Sequence, residues 1–193
     1  MMVKRITITD TVISNFESRQ WLLARDAALI FSAAVLTAIC AGIKFQIGVV
    51  PVTLQTLVVL LSGILLGSKR GAASQIAYVS AGLAGVPWFS NGGGLQYIIS
   101  PTFGYLVGFI VAAYVVGFFA ERGWDKKIIT LIAALLIGNV CIYFFGLLWL
   151  SKFIPQELLF GVGFYPFIIG DALKILAVSI SLPSVLKFLK IER

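Results

Sequence analysis

The chain has 193 residues, 60% of them hydrophobic and only 12% charged, about half the charge of a soluble domain, with a mean hydropathy of +1.02. That composition excludes a water-soluble domain and predicts a single all-α integral membrane domain over residues 1–193. The absence of histidine removes Ser–His and Cys–His catalysis and histidine-ligated metals, and no phosphate-binding Gly-x-x-x-x-Gly-Lys-Ser/Thr loop exists to hydrolyse ATP.

Residues 1–25 mix Lys4, Arg5, Arg19 and Arg25 with Asp10 and Glu17, and read as a cytoplasmic segment rather than a secretory signal. Within it, Ile6 to Leu23 is either an amphipathic surface helix or a plain tail. The first span is expected at 27–43, where no charge interrupts the chain. Two stripes of small residues mark it, Ala24–Ala28–Ser32 and Ala34–Ala38–Gly42. Such spacing lets helices approach closely in lipid. The stripes lie on different sides of the helix, so one suits packing within the chain and the other a second subunit. Cys40 here, like Cys141 later, reads as a small hydrophobe.

A second span follows Pro51, at 52–68. Between Arg70 and Glu121 lie 50 uncharged residues. One helix of that length would run about 75 Å, against a hydrocarbon core of about 30 Å. The chain must therefore fold back, and Pro87-Trp88-Phe89-Ser90-Asn91-Gly92-Gly93-Gly94 is the place. Spans are expected at 71–87 and 101–120, then at 128–150, and finally at 166–183 after Pro166, whose fixed φ suits a first helical turn.

Six transmembrane helices put both termini on one side. That side collects Lys4, Arg5, Arg19, Arg25, Lys69, Arg70, Arg122, Lys126, Lys127, Lys187, Lys190 and Arg193, while the other has only Lys44 and Lys152. The positive-inside rule makes both termini of this multi-pass cell-membrane protein cytoplasmic. The net charge of +7 is thus an orientation signal toward membrane lipid, and no nucleic acid is expected as a partner.

Asp171 and Lys174 are the only charges between Leu158 and Leu186, a run that reads as one membrane-spanning helix. Their i, i+3 spacing puts them on one helix face. At 1.5 Å per residue they sit roughly 8 and 12 Å below the outer end of a helix beginning at Pro166. Burying such groups costs roughly 2.5–3.5 kcal/mol each on insertion scales. The pair serves either as a polar-ligand site or as a fastener between helices. Gln55, Asn91, Tyr97 and Tyr105 fall in the same outer half and join it as candidate ligand-binding residues. Thr53, Gln96 and Thr102 lie there too, while Asn139 and Tyr143 read as packing groups within their span.

Several motifs occur together in a telling order: Val50-Pro51-Val52-Thr53-Leu54-Gln55-Thr56-Leu57, then Gly63 and Gly67, then Gly85-Val86-Pro87-Trp88-Phe89. Ser100-Pro101-Thr102-Phe103-Gly104-Tyr105-Leu106-Val107-Gly108-Phe109 and Gly170-Asp171-Ala172-Leu173-Lys174 follow. Over roughly residues 24–185 the chain resembles the BioY family, the biotin-binding S components of energy-coupling-factor (ECF) transporters. The resemblance implies a six-helix, ECF S-component-like membrane protein that captures biotin from outside with high affinity. It implies an energising module made of a transmembrane coupling protein and two ATPase subunits. It makes Asp171 and Lys174 ligand residues and sets Ala24 and Ala28 against the coupling protein. Neither an enzymatic activity nor a catalytic residue, a cofactor or a metal is implied. Some family members carry an arginine in the glycine loop, where this chain has Asn91-Gly92-Gly93-Gly94.

Biotin suits these side chains. An ionised Asp171 accepts a ureido N–H, Lys174 donates to the ureido carbonyl or the carboxylate, and Trp88, Phe89 and Tyr97 wall the ring. The rival reading is a self-sufficient secondary transporter or facilitator that uses Asp171–Lys174 as a relay. A membrane-embedded enzyme would need a Ser/Thr–Lys174 pair, and Ser179 and Ser181 lie too far inward.

Overall fold

The computed structural model describes residues 7–12, 18–46 and 48–188. Lys4, Arg5, Lys190 and Arg193, counted above toward orientation, lie outside them, as do Ile6 and residues 13–17 of the expected surface helix. What is described there is a short helix α1 (Ile8–Val12) and the start of a long one, α2 (Arg19–Gly42). Ser18 begins α2 by accepting the Trp21 N–H at 3.4 Å, the usual way an N-cap hydroxyl satisfies a free backbone donor.

After α2 come two paired strands, β1 (Lys44–Phe45) and β2 (Val52–Thr53), with Lys44 opposite Thr53. Helix α3 follows (Gln55–Leu83), then a loop and a 3-10 turn (Leu95–Ile99), and α4 (Phe103–Ala120). The chain closes with α5 (Ile128–Leu150), α6 (Gln156–Gly163) and α7 (Tyr165–Phe188). Among the described residues five helical stretches are long and apolar enough to cross a membrane: α2, α3, α4, α5, and Gln156–Ser184 across α6 and α7.

Helix α3 is a hairpin. Gly67 has φ 83° and ψ 177°, a conformation open essentially only to glycine, and the helix reverses there into limbs 55–66 and 68–83. Gln55 donates to the Tyr78 hydroxyl at 2.7 Å and Gln75 to Ser62 at 3.3 Å, across the two limbs. A Cβ on Gly71 would lie only 3.0 Å from the Gly63 Cα. Glu121 stabilises the turn by accepting both the backbone N–H and the hydroxyl of Ser68 at 2.7 Å. The reversal sits beside Lys69 and Arg70, the charges that divide two spans in the sequence.

Helix α4 lies at the centre, between the α3 hairpin and α5. Ala112, Ala113 and Val116 are fully buried, and the approach is close enough that a Cβ on Gly63 would sit 2.6 Å from the Ala113 carbonyl. In lipid, where apolar surface gains nothing by leaving its surroundings, such small-residue packing holds helices together. The stripes on α2 separate only in part: Ala34 is buried against the chain and Ala38 half-buried, but Gly42 of the same stripe is exposed, as are Ala24, Ala28 and Ser32.

One expectation fails. The run Leu158–Leu186 is two helices, broken at Phe164 (φ −134°, ψ −60°). Tyr105 donates its hydroxyl to the Gly163 carbonyl at 2.7 Å, so that carbonyl is held by α4 where the chain turns from α6 into α7.

Candidate functional site

Helix α7 carries Asp171 and Lys174 inward, one turn apart, and the first turn of α3 faces them. The Lys174 ammonium donates to Asp171 Oδ1 at 2.8 Å, to the Thr56 hydroxyl at 2.8 Å and to the Thr53 carbonyl at 2.7 Å. All three of its donors are thereby used. Thr56 in turn donates to Asp171 Oδ1 at 3.0 Å, and Tyr143 of α5 donates to Asp171 Oδ2. Asp171 is 4% exposed. A buried charge is tolerable when it is paired and its remaining lone pairs are bonded, and this network achieves both with groups from α3, α5 and α7.

The network forms one wall of a pocket at the end of the molecule that bears the glycine loop. The space measures about 500 Å³ only when its open mouth is counted. Tyr97, Tyr105, Phe109, Tyr143 and Phe167 supply aromatic surface, and Gln55, Ser90 and Thr102 add polar groups. Few polar groups among apolar and aromatic walls are what a small, partly polar ligand needs for orientation and desolvation.

Of the residues expected from sequence, Gln55, Tyr97, Tyr105, Asp171 and Lys174 come together here. Asn91 does not line the pocket; it accepts from Lys44 at 3.0 Å, just outside. Trp88 and Phe89 stand behind the wall. Phe89 packs on Tyr97 with ring centroids 4.5 Å apart, and Trp88 donates to the Tyr78 carbonyl at 2.9 Å. Tyr143, expected to serve packing, instead bonds Asp171. Thr56, in the first turn of α3, places its hydroxyl between both charges. The signal available for both was only their register relative to Gln55 and Asn139.

The polar candidates are individually anchored. Tyr97 accepts from Thr102 at 3.0 Å. Gln55 is fixed by Thr53, which donates to its Oε1 at 3.1 Å, and by the buried Tyr78. Anchoring of this kind holds a site in one geometry before any ligand arrives.

The sequence and fold match known proteins throughout. The family model described as "BioY family" matches residues 9–191. A "Probable biotin transporter BioY" of Lysinibacillus sphaericus is 40% identical over 72% of this chain and 74% of its own length. The "Biotin transporter BioY" of Thermotoga maritima is 37% identical over 85% of this chain and 95% of its own. The fold matches a solved structure described as the "S-component for biotin from an ECF-type ABC transporter", with a TM-score of 0.77 and 24% identity, over 89% of this chain and 95% of that one. Pocket, helix order and sequence thus lead to one assignment: this multi-pass membrane protein belongs to the BioY family.

Proposed function

We propose that the chain captures biotin from outside the cell with high affinity and serves as the substrate-binding subunit of an ATP-driven ECF transporter. The observation that carries this reading is the Asp171–Lys174–Thr56–Tyr143 network set into an aromatic pocket. Biotin's ureido ring offers N–H donors and a carbonyl acceptor. Asp171 accepts one such N–H through the lone pairs that Tyr143 leaves free, and Lys174 exchanges a protein oxygen for the ureido carbonyl. Gln55 orients the ring edge, and Tyr97 and Tyr105 cover its faces.

In this reading both termini and the α3 hairpin turn are cytoplasmic and the pocket opens outward. Support comes from Lys69, Arg70, Arg122, Lys126 and Lys127 at one end, against Lys44 and Lys152 at the other. Energy comes from partners, a transmembrane coupling protein and two ATPase subunits, which meet the exposed Ala24–Ala28 face of α2. The names of the relatives and of the solved structure support the ligand and the assembly.

The test is binding of radiolabelled biotin to the purified chain in detergent, competed by unlabelled biotin and by desthiobiotin. Saturable binding displaced by both is expected. Absence of saturable binding by folded protein would reject the reading.

A further inference from the structure

The pocket wall carries one anion and one cation, and they neutralise each other. Asp171 and Lys174 are paired at 2.8 Å, and among the described residues no other charged side chain lines the space. Biotin at neutral pH is a monoanion, so the wall offers its carboxylate no uncompensated positive charge. Lys44 does. Its ammonium donates to the Ser90 carbonyl and, at 3.0 Å, to Asn91 Oδ1. Both acceptors are uncharged, and Ser90 itself lines the pocket. Among the described residues Lys44 has no carboxylate within ion-pairing distance. Among the described residues the acids at this end are Asp171, already bonded, and the exposed Glu157 on α6. Lys152, the other cation here, lies over the Trp149 ring, 4.2 Å from its centroid.

The strand pair fixes where Lys44 stands. Lys44 is opposite Thr53 in the β1–β2 register, which sets their Cα atoms about 4.5–5.5 Å apart. The Thr53 carbonyl accepts from Lys174 at 2.7 Å. The two lysines therefore flank the same strand residue, one inside the pocket and one reaching toward its mouth. We infer that Lys44 is the specificity-determining cation of this site and binds the carboxylate at the end of the ligand's aliphatic tail. The inference rests on the biotin reading, and it sets the ligand's direction: ureido ring at Asp171 and Lys174, valerate tail toward Ser90. Exchanging a neutral amide oxygen and a carbonyl for a carboxylate strengthens each Lys44 hydrogen bond, because both partners are then charged.

The test compares biotin with biotinamide, whose tail ends in an uncharged carboxamide, on the purified full chain. Wild type should bind biotin about tenfold more tightly than biotinamide, the low end for a charged hydrogen bond at an exposed site. Lys44→Ala should lose that tenfold for biotin and leave biotinamide unchanged, whereas Lys44→Arg should keep the preference. Lys44 that merely fastens the loop would weaken both ligands equally in the alanine variant, and that result overturns the inference. No loss for either ligand overturns it as well. If folded wild type binds neither, the biotin reading itself falls and takes this inference with it.

Discussion

Every donor of the Lys174 ammonium is taken before a ligand arrives, and Asp171 accepts from three groups. Removing one member therefore leaves its largely buried partners without that bond. Truncating one partner of such a pair costs roughly 2–5 kcal/mol. Asp171→Asn and Lys174→Ala should each weaken biotin binding at least about tenfold on that basis. Tyr143→Phe removes one donor and no charge, so a smaller loss is expected. Binding isotherms check these outcomes, alongside melting temperatures in detergent that establish folding. Wild-type affinity in both charge variants would put the site elsewhere. Asp171 and Lys174 were legible because charges stand out in an apolar run. Tyr143 was not, because a tyrosine within a span looks the same whether it packs, marks an interface or holds a carboxylate. Only the packing of α5 against α7 decides, and that contact has no local signature.

At the level of elements the α3 hairpin is the sharpest case. The charges at Lys69 and Arg70 mark the fold-back in the sequence, but nothing local distinguishes Gly67, the residue that makes it, from Gly63 or Gly71. Its backbone lies in a region closed even to asparagine. A Cβ there would also meet the Thr7 methyl at 2.6 Å and Glu121 Oε1 at 2.8 Å. Gly67→Ala should lower stability by about 1–3 kcal/mol from strain alone, and Gly67→Asn should be no better. Detergent melting checks both; a wild-type melting temperature for either would contradict this account of the turn. Beside the turn, Asp10 of α1 bonds Arg70 at 2.6 Å and Arg25 at 3.0 Å, and Arg70 also meets Asp26 at 3.1 Å. Partial burial pushes the Asp10 carboxyl up, but hydrogen bonds from Arg70 and Thr7 outweigh this and bring it from 3.8 down to about 2. A carboxyl lowered by folding stabilises fully above its unfolded value and loses that contribution as pH falls through the folded one. Wild type should therefore melt above Asp10→Asn at neutral pH, with the gap intact down to about pH 4 and closing toward pH 2. A gap that is the same at every pH would remove Asp10 from the network. The α6–α7 break was illegible for a related reason: the hold on Gly163 comes from Tyr105, 58 residues away.

Across the whole molecule, the aromatic pocket and the exposed small-residue face lie at opposite ends. Ala24 and Ala28 are near the start of α2, a helix whose only buried residues are Ala34, Thr37 and Ala41. Most of α2 is thus free to meet lipid or a partner, and small side chains at four-residue spacing favour a helix at close range. A tryptophan at either position would hold such a helix away without touching a pocket group. Ala24→Trp and Ala28→Trp should leave biotin binding by the purified chain unchanged. Uptake by cells that supply an energising module should fall, and co-purification with its transmembrane protein should fall with it. The two readouts matter together, because a misfolded variant would lose binding as well. Uptake and co-purification at wild-type levels in both variants would return the Ala24 stripe to lipid contact. Wild-type uptake in cells lacking any ATPase module would make the chain a self-sufficient transporter, with Asp171 and Lys174 as its relay.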